Sequence, residues 1–391
     1  MSCMIQSKEA YIETENGVEV SPGALISIKD GSILTIRTSA EGENVTGAII
    51  DLSKYRLLPG LVDIHIHGGN GVDVMDCTED TIRKLALFKL REGVTSFCPT
   101  TVTSSLERTK RAIEAVKAVK LAGTDGAKII GTFLEGPYID PTYKGAHPEE
   151  WIRQVSIEEL KELLMAGEGS IKSVAIAPNL PGAIEAVKFL RSNGVIPRIG
   201  HGNATFEQAN AAAGAGAGII IHTYNAMSPF THREPGLVGT AFLNEELYAE
   251  IICDLVHVHP EAVRVLVKMR GTGKLILITD CMMAGGLGDG DYELGELAVT
   301  VKNSQARLAK DGALAGSVIG LMTAIKNMHE TIGVSFAEAV GMASLAPAEA
   351  LGLSDIGGIK PGKRADLIAV DDNDKVVFVM IDGKVVLDER K

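Results

Sequence analysis

Short apolar runs alternate with amphipathic stretches through the middle of the chain. The runs Leu61–His65, Val94–Phe97, Ile129–Phe133, Val174–Ala177, Val195–Ile199, Gly218–Ile221, Ala249–Ile252 and Leu275–Ile278 read as buried strands. Between them, Thr81–Glu92, Leu106–Lys120, Gly182–Ser192 and Pro260–Arg270 place their apolar residues at helical spacing. Eight strands with helical crossovers predict an α/β fold, a closed parallel (β/α)8 barrel of the TIM type. An open doubly wound sheet is the competing arrangement. Residues 211–218 (AAAGAGAG) are biased in composition, and a helix-to-strand turn accounts for them.

The two ends carry a different pattern. Gly23–Lys29, Ser32–Arg37 and Gly47–Asp51 alternate in β fashion, and so do Ala365–Val370, Lys375–Ile381 and Lys384–Asp388. The last two are joined by Asp382-Gly383, a hairpin turn signal. Both ends are therefore expected to pair into one small β-sandwich domain, residues 1–57 plus 358–391, beside a barrel of residues 58–357.

The polar residues fall where such a barrel places its chemistry. His65 and His67 lie two apart at the end of the first strand, so both project to one face. An isolated pair of this kind is as readily two partly buried histidines as a ligand pair. Strand three runs into Glu135, strand five into His201, strand six into His222 and strand eight into Asp280. In a (β/α)8 barrel these positions converge on one mouth. Imidazoles and carboxylates gathered there are costly to desolvate without a cation. Nitrogen and oxygen donors without thiolate suit zinc, iron(II) or manganese. Strand four ends Ala175-Ile-Ala-Pro-Asn179, without the lysine that bridges two metals in several barrel hydrolases, so Glu135 is the available bridging ligand.

Composition narrows the partners. The 391 residues carry a formal charge of −12, which repels nucleic-acid phosphates and anionic lipid surfaces. Met1 to Gly17 has no apolar stretch of the signal-peptide kind, and no apolar run approaches the roughly 18 residues that span a bilayer. The five cysteines (Cys3, Cys77, Cys98, Cys253, Cys281) show no CxxC spacing and read as reduced thiols of a cytoplasmic protein.

Taken in order, HIH, FLEGPY, GH, HTYNAM, REPGL, ITD and LAGS resemble the N-acetylglucosamine-6-phosphate deacetylase family of the amidohydrolase superfamily over essentially the whole chain. The resemblance implies hydrolysis of the acetamide of N-acetylglucosamine 6-phosphate to glucosamine 6-phosphate and acetate. It implies Glu135, His201 and His222 as ligands of a principal metal, zinc or iron, and His65 and His67 as ligands of a second, with Glu135 bridging. Some members have lost the first histidine pair, so one or two ions per subunit are expected. By the same resemblance His147 lies over the acetyl carbonyl, where a donor stabilises the developing oxyanion. Ala146, next to it, is expected to contact substrate. The backbone of Leu314, Ala315 and Gly316 would line the sugar and acetyl pocket.

Asp280 suits a general base that takes the proton of the attacking water and returns it to the amine. A further metal ligand or a helix cap is the other reading of a strand-end aspartate. Phosphate needs donors: the backbone at Asn225 and Ala226, and the Arg233 guanidinium, which offers a bidentate fork. In the family the equivalent arginine reaches the neighbouring subunit's site, which implies a homodimer. An arginine paired with Glu234 on the surface is the ordinary alternative. His257 is a phosphate contact by resemblance, although Leu255 stands where the family commonly has glycine. His259 reads as a helix-start residue, His329 as structural, and Gly285–Gly290 as a loop near the site. Another amidohydrolase, such as a D-amino-acid deacylase or cyclic-imide hydrolase, shares the metal logic without a need for phosphate donors. A non-catalytic scaffold of the same fold is the remaining alternative.

Overall fold

The computed structural model describes residues 2–38 and 48–391. Eight parallel strands form the barrel: Leu61–Ile66, Val94–Thr101, Thr132–Tyr138, Ile171–Ile176, Ile196–Ile199, Ile219–Ile220, Tyr248–Ile252 and Leu275–Ile278. Neighbouring strands pair in chain order, from Leu61↔Val94 through Ile252↔Ile278. The first and last strands close the ring through the Asp280 N–H, which donates to the His65 carbonyl at 2.9 Å, and a bridge between Ile66 and Cys281. An open sheet has no such contact between its first and last strands.

Packing supports the same conclusion. Val62, Cys98, Phe133, Ala175, Ile196, Ile219, Ile252 and Ile276 share one buried cluster, one residue from each barrel strand. Only the interior of a closed barrel lets side chains from all eight strands meet. Ala346, Ala348 and Leu351, on and just after a short helix late in the chain, belong to the same cluster. The alternate residues of the strands face outward under the helices, as Ile251, Leu275 and Leu277 do. The helices start at side-chain caps: Thr78, Ser105, Ser156 and Thr205 each accept an N–H of the first turn. Four helices, Glu79–Arg91, Leu106–Ala122, Ala183–Ser192 and Pro260–Arg270, lie within two residues of the expected bounds.

The terminal strands, Ser2–Thr14, Gly17–Pro22, Ala24–Lys29, Ser32–Thr38 and Ala48–Pro59 with Leu367–Val370, Val376–Ile381 and Lys384–Asp388, form one eight-stranded sheet. The sheet doubles back, and its edge at Ile33 meets the segment before Leu367: the Ile33 N–H donates to the Lys363 carbonyl at 2.9 Å. A core of Ile5, Ile26, Ile28, Leu57, Leu367 and Phe378 fills the fold between. Gly47, the expected start of one strand, lies outside the described residues. Asp382 (φ 56°) and Gly383 (φ 69°) make the tight turn that their dipeptide signals.

One element had no counterpart in the sequence reading. Gly290–Leu294, Leu297–Lys302 and Gln305–Leu308 form an antiparallel meander between the last barrel strand and residues 314–316. Its strands alternate buried and exposed positions, and Val299, Val301 and Ala306 pack on Val102, Met282 and Ala315 beside the barrel mouth. No helix among the described residues is long and apolar enough to cross a membrane.

Candidate metal and substrate site

The strand ends carry the site, and their backbones bend sharply to present it. His201 (φ 44°), His222 (φ 23°) and Asp280 (φ 48°) all occupy the left-handed region that non-glycine residues avoid. Each turn lifts one polar side chain from a strand end into the mouth. Such strain, about 1–3 kcal/mol per residue, collects at functional sites where surrounding structure enforces it. Gly136 follows Glu135 at φ 88°, and a Cβ there would lie 2.0 Å from Thr103 Oγ1. Only glycine lets the chain turn away from Glu135 so close to that hydroxyl.

Glu135 is the hub. Its Oε1 lies 3.0 Å from His222 Nε2 and 3.3 Å from both His201 Nε2 and His65 Nε2. Its Oε2 lies 3.0 Å from His67 Nε2 and 3.4 Å from His147 Nε2. Asp280 Oδ1 sits 3.2 Å from His67 Nε2 and 3.7 Å from His65 Nε2. Every one of these side chains is buried. Burial works against charge on Glu135, but the imidazoles of His65, His147, His201 and His222 outweigh it and hold the carboxyl well below the usual range. Asp280 is likewise resisted by burial, yet His65 and His67 hold it down to about 2.

These groups fit a cation. His201 Nε2 and His222 Nε2 face each other at 3.0 Å, and a single proton between them leaves their joint approach to Glu135 unexplained. His65, His67 and Asp280 present ligand atoms within 4.8 Å of one another, and Glu135, His147 and His201 do the same. The chemistry of the set, imidazole and carboxylate, suits a divalent transition ion.

Contacts behind the site orient its members. His201 Nδ1 bonds the Tyr143 carbonyl at 2.8 Å, and His67 Nδ1 lies 3.2 Å from the Thr100 carbonyl. His147 Nδ1 accepts the Thr103 N–H at 3.2 Å, which leaves Nε2 to carry its proton. Burial pushes the His147 pKa down to about 4, so the ring is a neutral donor aimed at the centre. The loop carrying His147 is thus held in place rather than solvated at the surface.

A cleft opens over the hub, lined by Ala146, His147, Asn225, Ala226, His257, Leu294, Leu314 and Gly316. His257 Nδ1 pairs with Asp254 Oδ2 at 2.6 Å. Burial disfavours the charged ring, but Asp254 outweighs it and raises the pKa. Leu255 stands at φ 64°, a conformation that suits glycine and costs a β-carbon roughly 1 kcal/mol.

Two of the residues named from the sequence do not line this cleft within one chain. Arg233 is exposed and away from it within one chain, and makes no ion pair with Glu234, whose carboxylate instead accepts the Phe206 and Gly236 N–H groups. Ala315 is fully buried against the meander, on the far side of its segment from Leu314 and Gly316. His259 caps the helix Pro260–Arg270 by accepting the Glu261 N–H, and His329 bonds the Val334 carbonyl under Phe336, both as expected. Residues 285–287 are tied down: the Asn70 N–H donates to the Gly285 carbonyl at 2.7 Å, and the Leu287 N–H to Ala284.

Comparison with known proteins places this arrangement. Residues 56–386 match the amidohydrolase family model. The N-acetylglucosamine-6-phosphate deacetylase of Vibrio furnissii is 37% identical over 95% of this chain and 93% of its own length. The chain belongs to that family. An N-acetylgalactosamine-6-phosphate deacetylase of Escherichia coli O157:H7 is 40% identical over 92% of this chain and 94% of its own. Among solved structures, a variant of the Mycobacterium smegmatis N-acetyl-D-glucosamine-6-phosphate deacetylase in complex with N-acetyl-D-glucosamine-6-phosphate superposes with a TM-score of 0.92. It is 31% identical, and 99% of each chain is covered.

The fold adds residues to this deacetylase-family site that the sequence reading left out. Glu250 and Arg198 are fully buried charges on barrel strands seven and five, and Asp63 and Lys89 form another buried pair at 3.2 Å. A charged residue inside an otherwise apolar strand, as in Tyr248–Ile252 and Ile196–Ile199, was the available signal, since such residues are almost never buried unpaired. Thr103, the partner of His147, carries no such mark.

Proposed function

We propose that this chain hydrolyses the acetamide of N-acetylglucosamine 6-phosphate to glucosamine 6-phosphate and acetate. One observation carries the reading. A buried carboxylate, Glu135, is ringed by five imidazoles with Asp280 beside it, at the mouth of a barrel whose relatives at 36–40% identity are amino-sugar 6-phosphate deacetylases.

Glu135, His201 and His222 would hold a principal ion, and His65 and His67 a second with Glu135 between them. When bound, a zinc or iron ion polarises a carbonyl and lowers the pKa of water towards ~7. Asp280 takes the proton from the attacking water and passes it to the departing amine. The His147 Nε2–H donates to the acetyl oxygen as negative charge develops on it. The His257 ring and the Asn225–Ala226 backbone bind the phosphate, joined by Arg233 from the neighbouring subunit of a homodimer. All five cysteines are free, as in a reducing cytoplasm, where we place the enzyme.

Turnover of N-acetylglucosamine with and without its 6-phosphate tests the substrate. Two charge-assisted hydrogen bonds, at about 1.5 kcal/mol each, predict a preference of at least ~100-fold in kcat/KM for the phosphorylated sugar. Equal rates would sink the proposal. The galactosamine epimer, which differs at C4, is the second reading that the Escherichia coli relative favours, and the same assay ranks the two.

Arg233 has a sharper test. Arg233→Ala is expected to raise KM for the phosphorylated sugar about tenfold, the value of one such bond. Mixed with Asp280→Asn protein after subunit exchange, it should regain low-KM activity, because a hybrid site combines an intact Asp280 with the partner's intact arginine. Mixtures that gain nothing would place Arg233 outside the neighbouring site.

A further inference from the structure

Beneath the hub runs a buried chain of contacts that no role above uses. Glu250, on the strand Tyr248–Ile252, places Oε2 2.9 Å from His65 Nδ1. Its other oxygen is paired with Arg198 Nη1. All three side chains are 0% exposed. Arg198 lies over Phe133, its guanidinium carbon 3.9 Å from the ring centroid, and Phe133 in turn meets the His65 ring edge-on at 4.9 Å. Among the described residues Arg198 Nε and Nη2 have no hydrogen-bond partner, so the guanidinium is held by one carboxylate and one aromatic face.

Two fully buried charges placed beside a barrel core are expensive, and a pair of apolar residues would pack there at less cost. Their position gives them a purpose. A carboxylate paired with a guanidinium accepts hydrogen bonds, so His65 Nδ1 carries the ring proton and Nε2 turns its lone pair towards the centre. There Nε2 lies 3.3 Å from Glu135 Oε1 and 3.7 Å from Asp280 Oδ1, with no hydrogen-bond partner among the described residues. Carboxylates behind ligating histidines fix tautomer and ring orientation in this way. We propose that Glu250, braced by Arg198, is a positioning residue that sets His65 for the second ion. The inference rests on the two-ion reading above.

The selectivity of the effect follows from the same contacts. The Glu250 side chain reaches the His222 backbone N–H only at 3.4 Å, whereas the following Thr223 N–H is held by the Glu250 backbone carbonyl at 2.8 Å. Removing the carboxylate therefore leaves the principal ion's histidines supported and releases His65.

Two double variants separate position from charge. Arg198→Met with Glu250→Gln removes both charges but keeps an acceptor oxygen for His65. Arg198→Met with Glu250→Leu removes the acceptor as well. Metal content by mass spectrometry and zinc affinity by competition titration are measured on each full-length protein, with melting temperature as the check on folding. Wild type and the glutamine variant are expected to bind two ions. The leucine variant is expected to bind the first ion normally and the second 10–100-fold more weakly, the range for a lost partner of a ligating histidine. Equal second-ion affinity in the two variants, or equal weakening of both ions, overturns the proposal. Wild type that binds one ion overturns the two-ion reading itself, before any variant is made. Should the leucine variant fail to fold, nitrogen-15 spectra of zinc-loaded wild type decide: a proton on His65 Nδ1 supports the proposal and one on Nε2 refutes it.

Discussion

Asp280→Asn is expected to retain metal and to lose at least about a hundredfold in turnover, the scale of a missing general base. The substitution is clean for structural reasons. Asp280 adopts φ 48°, a conformation that asparagine tolerates better than most residues, so the strand-end turn survives. Its backbone ties are indifferent to the side chain: its N–H donates to the His65 carbonyl at 2.9 Å, and its carbonyl accepts the Ser317 N–H at 2.7 Å. The amide still reaches His67, 3.2 Å away in the parent protein, but it cannot take a proton from water. Metal content and kcat measured on the same preparation decide the matter. A variant within tenfold of wild type would move the base to another group. A variant that loses its metal would make Asp280 chiefly a ligand.

Glu135→Gln is expected to abolish stable metal binding and to lower turnover by at least ~1000-fold, which corresponds to about 4 kcal/mol of lost charge stabilisation. The amide has the carboxylate's shape with half its acceptors and none of its charge. It would turn an NH2 group towards imidazole nitrogens that now lie 3.0 to 3.4 Å from the carboxylate oxygens. Dialysed protein should contain less than one ion per chain. Adding metal should also raise the melting temperature of wild type but not of the variant. Binding to the native state alone stabilises by about 2.7 kcal/mol at a hundred times Kd. A variant that holds its ions through dialysis would show that the histidines suffice without Glu135.

The hub was legible in the sequence because barrel geometry converts a one-dimensional rule into a three-dimensional one. Polar residues just after apolar strands share one mouth whatever their separation in the chain, so Glu135 and His222 lie 3.0 Å apart across 87 positions. The cleft residues Asn225, Ala226 and His257 lie just past strands six and seven, whereas Leu314 and Gly316 lie beyond the meander and were named through the family resemblance. Arg233 is not among them, because its loop points out of its own barrel. The Ala315 side chain packs on the meander, while Leu314 and Gly316 on either side of it line the cleft. That meander went unread because the glycine-rich segment before it signals a loop, and its own alternation is short.

What the sequence determined by itself is the barrel, the small β-domain and the gathering of imidazoles and carboxylates at the strand ends, which rest on periodicity and on residue types local to the chain. The order of its motifs pointed to the family. Tertiary structure alone decided the rest. It placed His201, His222 and Asp280 in left-handed turns, paired His147 with the Thr103 N–H, and set Glu250 and Arg198 behind His65. Those relations depend on which side chains meet across the barrel interior. A charged residue in an apolar strand reveals that a partner must exist, but only the packed barrel names it.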